Sequence, residues 1–425
     1  MKRLNGIRLP QHKRAEDQQI VNLPLPELVR IPMLMHQGAA CVPIVKPEES
    51  VKVGQVIGQA EQEDAVPIHA SVSGTVTAIS EYETGSGEKV PCIEIVSDGE
   101  QLIADDCVQP EVKKKDDLIA AVKRSGCVGL SGAGDLTYQK LSTTEKIDML
   151  ILNGAECEPF LTSDCRMMTE YADDVINGAS LIQKLLKIKE VRIGIQTSHP
   201  AIVKDFAERC KTLKGFRVCP LPPTYPQGAE KVLIYHCSGR VVPEDQKAEQ
   251  LGVIVLNVST CAFIHQYLQT GIPLVERIVT VDGNAVRKPC NVRVPVGTPV
   301  KNLLEFAECE FSGLQEILSG GLMMGTSLSD LQSPVLRQQN GLLAIRRKKI
   351  RKPTACIRCG RCMEACPMQL MPMELENAYR SQNIAMLQKY HISLCMNCGA
   401  CSFVCPAHRP LAETNQLAKA LLPKA

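Results

Sequence analysis

A run of cysteines near the C-terminus carries the clearest chemistry in the sequence. The pattern Cys-x2-Cys-x2-Cys-x3-Cys-Pro occurs twice, over residues 356–367 and again over residues 395–406. This spacing is typical of proteins that bind two [4Fe–4S] clusters, in which the fourth cysteine of each copy serves the other cluster. The pattern therefore predicts two ligand sets, one of Cys356, Cys359, Cys362 and Cys405, the other of Cys395, Cys398, Cys401 and Cys366.

Two other uses of these cysteines fit the pattern less well. Zinc sites are built from two Cys-x2-Cys pairs and have no use for a fourth cysteine before a proline. Disulfide scaffolds are short secreted chains that follow a signal peptide, and the opening MKRLNGIRLP has no apolar core of that kind. The twelve cysteines outside the motif, of twenty in total, show no pairing pattern. A reducing, low-oxygen compartment is therefore expected.

Composition limits the remaining function classes. A chain of 425 residues suggests two to four domains. The net charge is only +2, tryptophan is absent and aromatic residues make up 4%, so nucleic acid is not an expected partner. No apolar run approaches the roughly 18 residues that a membrane span needs. We therefore expect no transmembrane segment.

A glycine-rich loop is the second candidate for chemistry. Gly129, Gly132 and Gly134 lie close together after a predicted helix at 116–124. Glycines let the backbone approach a phosphate closely, and a tight turn is the alternative explanation for such a loop. The apolar run 147–153 predicts a buried strand, and the polar residues of segment 154–159 follow its carboxyl end. Open α/β sheets bind ligands at that end, which favours a nucleotide or flavin site.

Strands and helices alternate downstream of this loop, which predicts an α/β domain with a mostly parallel sheet. Helices are expected at 171–186, 200–210, 229–237 and 260–269, and strands at 191–195, 216–219 and 252–257.

We divide the chain into five parts by pattern. They are an extended arm at 1–30, a barrel-sandwich at 31–104, a flavin- or nucleotide-binding α/β domain at 105–270, a β-grasp module at 271–344, and the cluster domain at 345–425. The barrel-sandwich is lipoyl-like but carries no modifiable lysine in its turn at 61–64. The basic run 345–352 is either an exposed linker or a docking patch for an acidic carrier or a membrane surface.

Together these motifs resemble the RnfC family, a peripheral component of the Rnf complex, the ion-translocating ferredoxin:NAD oxidoreductase, over nearly the whole chain. The motifs that carry the resemblance are the arm, the barrel-sandwich, the glycine loop and the double cysteine motif, with the segments 153–159, 225–231 and 320–325. Residues 115–345 are also similar to the flavin-bearing, NADH-oxidising subunit of respiratory complex I. The resemblance implies a Rossmann-like FMN/NADH α/β domain, an SLBB-like β-grasp module and a ferredoxin-like α-helical domain with two clusters.

The resemblance also implies roles for individual residues. The glycines Gly129, Gly132 and Gly134 line the FMN phosphate and the nicotinamide dinucleotide. The ring-facing residues are Asn153, Glu156 and Glu158, with the two glutamates as the candidate catalytic groups. The far side of the flavin site is closed by Gly228, Glu230 and Lys231. A flavin suits this chemistry because it accepts a hydride as two electrons and releases them singly to clusters.

The implied partners are the membrane subunits of an Rnf-type complex, ferredoxin or another electron carrier, and NAD(H). The implied location is peripheral, on the cytoplasmic side of the bacterial membrane. The chain departs from the family in the glycine loop, where electrons from NADH would enter. The family pattern is G-x-G-G-A-G-F-P-T, and this chain has Ser131, Asp135 and Leu136 in place of its Gly, Phe and Pro. Asp135 removes a stacking surface for adenine and adds a charge that repels phosphate.

Two alternatives therefore stay open. One is a soluble relative that feeds a cobalamin or amino-acid reductase. The other is a relay module that has lost NADH binding. The barrel-sandwich favours the Rnf-type interpretation over the first, because cobalamin reductases of this kind begin near the glycine loop.

Overall fold

The computed structural model describes residues 4–346 and 351–423. The first part is all β, with β1 (Ile20–Asn22), β2 (Leu28–Pro32), β3 (Val42–Pro43), β4 (Ser50–Val51), β5 (Val56–Gln59), β6 (Ile68–His69), β7 (Gly74–Glu83) and β8 (Lys89–Ser97). Strands β2 to β8 form two sheets, ordered β2-β8-β7-β4 and β3-β5-β6. They share one core, in which Val29, Ile57 and Ile93 are fully buried. This architecture confirms the predicted barrel-sandwich.

The next part alternates strands and helices as predicted. Its elements are α1 (Lys115–Arg124), α2 (Thr137–Ser142), β9 (Met149–Gly154), α3 (Ser163–Glu170), α4 (Ala172–Leu186), β10 (Glu190–Gln196), α5 (Pro200–Cys210), β11 (Phe216–Leu221), α6 (Glu230–Ser238), β12 (Val253–Asn257) and α7 (Val258–Thr270). A 3-10 turn, Ala248–Leu251, precedes β12. The helices α2 and α3 are additions to the predicted set.

The four strands of this domain are parallel, in the order β11-β10-β9-β12. Strand β9 is buried along almost its whole length, as the apolar run predicted, because helices cover both faces of such a sheet. Parallel pairing brings the carboxyl ends of β9, β10 and β12 to one edge. The polar segments that follow these strands therefore meet there.

The third part is built on one six-stranded sheet. It contains β13 (Glu276–Asp282), β14 (Cys290–Pro295), α8 (Val300–Phe306), β15 (Glu316–Ser319), β16 (Thr326–Leu328) and β17 (Gly341–Ile345). The predicted hairpin and helix correspond to β13, β14 and α8. The strands β15 to β17 were not predicted, and β1 of the arm completes the sheet by pairing parallel to β14.

The C-terminal part is helical, with α9 (Arg361–Glu364), α10 (Pro372–Arg380), α11 (Ile384–Lys389), α12 (Ala400–Phe403) and α13 (Leu411–Ala420). A 3-10 turn, Ile392–Leu394, precedes the second cysteine motif. Within the predicted basic run, residues 347–350 lie outside the described residues. Across the described ranges, every helix is too short or too polar to cross a membrane.

The N-terminal arm is held in place by contacts with distant parts of the chain. Ile7 exchanges backbone hydrogen bonds with Tyr225, at 2.9 and 2.8 Å. Lys13 Nζ donates to the carbonyls of Glu156 (3.0 Å) and Glu158 (3.1 Å). Arg14 pairs with Asp282, whose side chain is fully buried. The arm thus ties the α/β domain to the six-stranded sheet beside the segment that follows β9.

Candidate redox centres

The four cysteines of the first predicted set line one small cavity, together with apolar residues such as Ile357 and Leu411. We call it the outer cavity. Its cysteine ligand candidates are Cys356, Cys359, Cys362 and Cys405. Three of them come from one motif copy and the fourth from the other, which is the exchange that the repeated pattern predicts.

The second set lines a matching small cavity, which we call the inner cavity. Its cysteines are Cys395, Cys398, Cys401 and Cys366. Met368, Leu370 and Pro372 contribute apolar surface around them. The structure therefore brings together both cysteine sets in the combinations given by the sequence.

Each cavity is formed by the same backbone turn. In the first copy Arg358 and Gly360 have left-handed φ angles of 54° and 78°, and in the second Asn397 and Gly399 have 53° and 77°. These paired left-handed residues fold the Cys-x2-Cys-x2-Cys loop around the cavity before α9 and α12 begin. Glycine adopts this conformation without the penalty that a Cβ brings.

The donor sets suit an iron–sulfur cubane better than a single ion. Each cavity is lined by four thiols, and a set of four cysteines is the usual one for [4Fe–4S]. Among residues 4–346 and 351–423, no group of three or more His, Cys, Asp and Glu is placed to hold a metal ion.

The surroundings of the two cavities differ. Cys356 and Cys359 are exposed, and Ile357 between them is 67% exposed. At the inner cavity the Tyr225 hydroxyl donates to the Cys398 carbonyl at 2.6 Å. Burial raises the pKa of Cys398 to about 12, so a bound cation is needed to hold it as a thiolate. The outer cavity thus faces solvent, and the inner cavity faces the α/β domain.

The glycine loop forms a small, closed turn. Gly129 N donates to the Asp135 carbonyl at 2.8 Å, and Gly134 N donates to the Gly129 carbonyl at 3.2 Å. Gly132 has a φ of +101°, and a Cβ built on it meets nothing within 4 Å. The backbone at Gly132 therefore borders open space that a side chain would fill, which is the property expected of a cradle for a flavin or nucleotide.

Two predicted site residues meet directly at the edge of the parallel sheet. Asn153, at the end of β9, donates from Nδ2 to the Gly228 carbonyl at 2.9 Å. Its Oδ1 accepts from Ala155 N at 3.2 Å. The amide is thus fixed in orientation by the segments before α6 and after β9.

Lys140 joins the glycine loop to α6. Its ammonium lies 2.9 Å from Asp135 and 3.2 Å from Glu230. Burial lowers the pKa of Lys140, but the Glu230 and Asp135 carboxylates outweigh it, so the pKa is raised and the lysine stays charged. The negative charge of Asp135, which the sequence presents as unopposed, is therefore paired with Lys140, and Glu230 shares the same lysine.

Lys231 lies away from this group. Its ammonium donates to the Pro243 carbonyl at 2.7 Å, and burial lowers its pKa. The structure therefore brings Gly228 and Glu230 to the loop region but directs the Lys231 side chain toward the segment after α6.

The two candidate catalytic glutamates are engaged by backbone amides. Glu156 accepts from the amides of Asp164 (2.8 Å) and Cys165 (2.9 Å) at the start of α3. Glu158 accepts from the amides of Met323 (3.0 Å) and Met324 (3.1 Å). Burial raises the pKa of Glu158, although these amides oppose the shift. Both contacts hold the post-β9 segment in place and so indicate a positioning role.

The beginning of α7 is a part of the site that the sequence reasoning missed. Asn257 caps the helix by accepting from Ser259 N at 2.8 Å, and the Thr260 hydroxyl accepts from Leu130 N in the glycine loop at 3.2 Å. A helix N-terminus beside a glycine loop suits a phosphate. The signal was present, because a polar Asn ends the predicted strand 252–257 just before a helix.

Comparison with known families finds four matching domains along the chain. Residues 122–266 match the Nuo51 FMN-binding domain, and residues 2–100 match the RnfC barrel sandwich hybrid domain. Residues 355–408 match a 4Fe-4S dicluster domain, and residues 278–307 match the SLBB domain. The glycine loop, Asn153, Gly228 and the start of α7 all lie within the FMN-binding match.

Three curated relatives match over most of their own length. The C component of an ion-translocating oxidoreductase complex from Rhodobacter capsulatus is 35% identical over 98% of this chain and 82% of its own length. The C component of a proton-translocating ferredoxin:NAD(+) oxidoreductase complex from Clostridium ljungdahlii is 35% identical over 85% of this chain and 81% of its own. The Na(+)-translocating counterpart from Acetobacterium woodii is 36% identical over 84% and 82%.

Among solved structures, a NAD+-reducing [NiFe]-hydrogenase in the H2-reduced state is similar in fold, with a TM-score of 0.51 and 16% identity. The match covers 76% of this chain and 65% of that one. At this identity the likeness concerns the fold alone.

Proposed function

The chain belongs to the RnfC family of ion-translocating oxidoreductase complexes, and on that premise we propose that it carries electrons between NADH and two [4Fe–4S] clusters through an FMN held at the glycine loop. The observation that carries this proposal is the pair of cavities, each lined by four cysteines, with the inner one joined to the FMN-binding domain through Tyr225. An electron-transfer protein needs such a connected series of centres.

The chain's own residues define the flavin pocket in this proposal. Gly129, Gly132 and Gly134 supply a backbone that a phosphate and a ring can approach, and the N-terminus of α7 supplies amides for the phosphate. The oriented amide of Asn153 and the carbonyl of Gly228 border the same edge. When bound, the flavin takes two electrons together and passes them on singly.

We assign Glu156 and Glu158 to the flavin and nicotinamide side of the pocket, where they hold the post-β9 segment through the amides that they accept. Glu230 closes the far side through Lys140. Only the backbone of Lys231 is assigned to the far side of the pocket, since its ammonium donates to the Pro243 carbonyl.

Few residues of the sequence separate the proposed flavin pocket from a contact with the inner cavity. Tyr225 stands three residues before Gly228 and donates to the carbonyl of Cys398, a predicted ligand at the inner cavity. Met323 lies against Gly399 of the same loop. We therefore place the inner cluster next to the flavin and the outer cluster at the exposed end, where Ile357 borders solvent.

NADH is the proposed two-electron donor or acceptor. The Asp135 carboxylate repels a phosphate less strongly than an unpaired carboxylate would, because Lys140 pairs with it. Membrane subunits of the complex, ferredoxin or another one-electron carrier are the proposed partners, with the chain peripheral on the cytoplasmic side. The soluble-carrier alternative is not favoured, because relatives that span nearly the full chain are named as subunits of ion-translocating complexes.

Anaerobic purification followed by iron and FMN reconstitution tests the proposal. We expect flavin absorbance bands beside the broad cluster absorbance, and bleaching of both when NADH is added. Protein that binds no FMN would contradict the flavin site. If the protein binds FMN and is bleached by dithionite but not by NADH, the NADH site is wrong and the chain is an electron relay without a pyridine-nucleotide site.

A further inference from the structure

A line of buried polar groups runs from the protein surface toward the sheet edge, outside the cluster and glycine-loop groups described above. Its outer members are Glu16 on the arm, His199 just before α5 and Cys165 in α3. Glu16 Oε1 lies 2.6 Å from His199 Nδ1, and His199 Nε2 lies 3.6 Å from Cys165 Sγ. The Glu16 side chain is 36% exposed and that of His199 only 2%. The line therefore starts in solvent and enters the protein.

The inner members are two buried carboxylates. Glu156 Oε2 accepts from the Cys165 amide at 2.9 Å, and hydrogen bonding to the Glu156 side chain helps to raise the pKa of the Cys165 thiol. The neighbouring Asp164 accepts from the Ser259 hydroxyl at 2.6 Å and from the Asn257 amide at 2.7 Å. Those two partners form the start of α7.

The line ends at the proposed flavin pocket. The Asn257 amide that contacts Asp164 also donates to the carbonyl of Asn153 at 3.3 Å. Thr260, in the same first turn of α7, receives the amide of Leu130 in the glycine loop. Side-chain groups thus connect the pocket to the surface without passing through either thiol-lined cavity.

The surroundings of this line shift the pKa values of Asp164 and Cys165. Burial raises the pKa of Asp164 to about 7, and the negative charge of Glu156 adds to the rise. Arg277 opposes that rise from β13, and Lys13 on the arm faces Cys165. Burial keeps Cys165 a neutral thiol, because it raises the thiol pKa well above the ordinary value. Near neutrality the Asp164 carboxyl is therefore poised to take up or release a proton.

The proposed function creates a need for such a proton path. When NADH gives its electrons to two one-electron acceptors, the balance is NADH → NAD+ + H+ + 2e−. One proton must therefore leave the pocket for every two electrons, or enter it when the current runs the other way. The electrons leave toward the inner cavity, and the proton requires its own route through buried protein.

We propose that Asp164, Glu156, Cys165, His199 and Glu16 form a proton relay between the flavin pocket and solvent. A proton held by the carboxylate pair passes to the Cys165 sulfur as the thiol proton passes to His199 Nε2. The proton on Nδ1 moves to Glu16 and then to water. The carboxylate pair is then one proton short and is refilled by the proton that leaves the flavin pocket. His199 regains its starting tautomer when the imidazole ring turns, and no oxidant or reductant is consumed. The relay rests on the proposed flavin site.

The test uses the full chain with its clusters and FMN, reduced by dithionite and freed of the excess. Rapid mixing with ferricyanide in weak buffer lets flavin oxidation be followed by absorbance and proton release by a pH-indicator dye. In wild-type protein we expect proton release to keep pace with flavin oxidation. In Cys165→Ala and His199→Ala we expect release to lag by about tenfold or more, the scale of a lost proton-transfer group.

Matched variants separate a relay from a structural contact. Cys165→Ser keeps a proton-carrying hydroxyl and should restore most of the rate, and imidazole should rescue His199→Ala. His265→Ala removes a similar pair, His265 Nδ1 to Asp174 at 2.7 Å, away from the line, and should leave proton release unchanged. Equal rates in wild type and Cys165→Ala, a matching lag in His265→Ala, or no rescue by imidazole would overturn the relay.

The two proposals fail differently. If the wild-type chain binds no FMN, the flavin site is wrong and the relay falls with it. If FMN binds and is reoxidised normally while the variants release protons as fast as wild type, the flavin site stands and the relay alone is wrong.

Discussion

The outer and inner cavities have the same motif and the same backbone turn, yet they meet different surroundings. The outer cavity has two exposed cysteines and the exposed Ile357 at its rim. At the inner cavity, Tyr225 donates to the Cys398 carbonyl and Met323 lies against Gly399. Cluster potentials depend on solvent exposure and on hydrogen bonds near the sulfurs. In the path that we propose, two chemically equal sites thus take different positions.

The difference also separates two tasks. A centre that exchanges electrons with another protein must lie near the surface, and the outer cavity does. In the proposed path, a centre that accepts electrons from the flavin must lie close to it. Contacts from Tyr225 of the α/β domain and from Met323 of the β15–β16 connection hold the inner cavity against that domain.

Removing one ligand from each cavity gives the largest expected effect. Cys359→Ala should lose the outer cluster and Cys398→Ala the inner one, so iron content should fall from about eight to about four per chain in either variant. Cys309→Ala, outside the motif, is the control and should keep all of its iron. Iron analysis after anaerobic reconstitution checks this. Full iron retention in both ligand variants would mean that the ligand assignment is wrong.

A side chain at Gly132 should weaken FMN binding at the glycine loop and leave both cysteine-lined cavities unchanged. Gly132→Ala puts a Cβ into open space at a φ of +101°. We expect FMN affinity to fall by about tenfold or more, which corresponds to about 1.4 kcal/mol. Gly87→Ala is the matched control, because Gly87 also has a positive φ (+83°) and open space, but in the β7–β8 turn. Equal FMN affinity in both variants would place the flavin elsewhere.

Tyr225→Phe sharpens the comparison by removing one inner-cavity contact. The Cys398 carbonyl would lose the donor at 2.6 Å, at a cost of about 1–3 kcal/mol if it stays unsatisfied. We expect a lower denaturant midpoint and slower bleaching of the inner cluster by NADH. Tyr267→Phe, which loses a contact to Arg124, controls for hydroxyl removal and should leave the bleaching rate unchanged.

The smallest effect is expected at Lys140. Lys140→Gln leaves Asp135 and Glu230 without their cation, so the entry site becomes more negative and repels a dinucleotide. We expect KM for NADH to rise a few-fold, in line with about 0.5–1 kcal/mol for a partly exposed charge pair. Lys52→Gln, which breaks the exposed pair with Asp105, is the control. A KM unchanged from wild type would show that Lys140 does not serve the NADH site.

The cysteine sets could be read from the sequence because their geometry is local. Three ligands fall within seven residues, and the repeat supplies the fourth, so spacing alone defines the site. The barrel-sandwich and the parallel sheet were also predictable, because strand and helix periodicities persist over whole elements. Strand β1 was not, since three residues of an arm become a strand only by pairing with β14, far along the chain.

The contacts of the entry site could not be predicted for the same reason. Lys140 meets Glu230 across 90 residues, and Glu158 meets Met323 across 165. Nothing in the local sequence of Glu156 or Glu158 distinguishes a carboxylate that faces a ligand from one that accepts backbone amides. Helix α3 was missed because its sequence, SDCRMMTE, is polar and short, and it is stabilised by Glu156 at its N-terminus.

The order of the centres is the central claim, and rapid-freeze EPR after mixing with NADH tests it most directly. In Cys359→Ala, which lacks the outer cluster, we predict that NADH still reduces the inner cluster at the wild-type rate. In Cys398→Ala we predict that the flavin is reduced while the outer cluster stays oxidised. Reduction of the outer cluster at the wild-type rate in Cys398→Ala would contradict the proposed path.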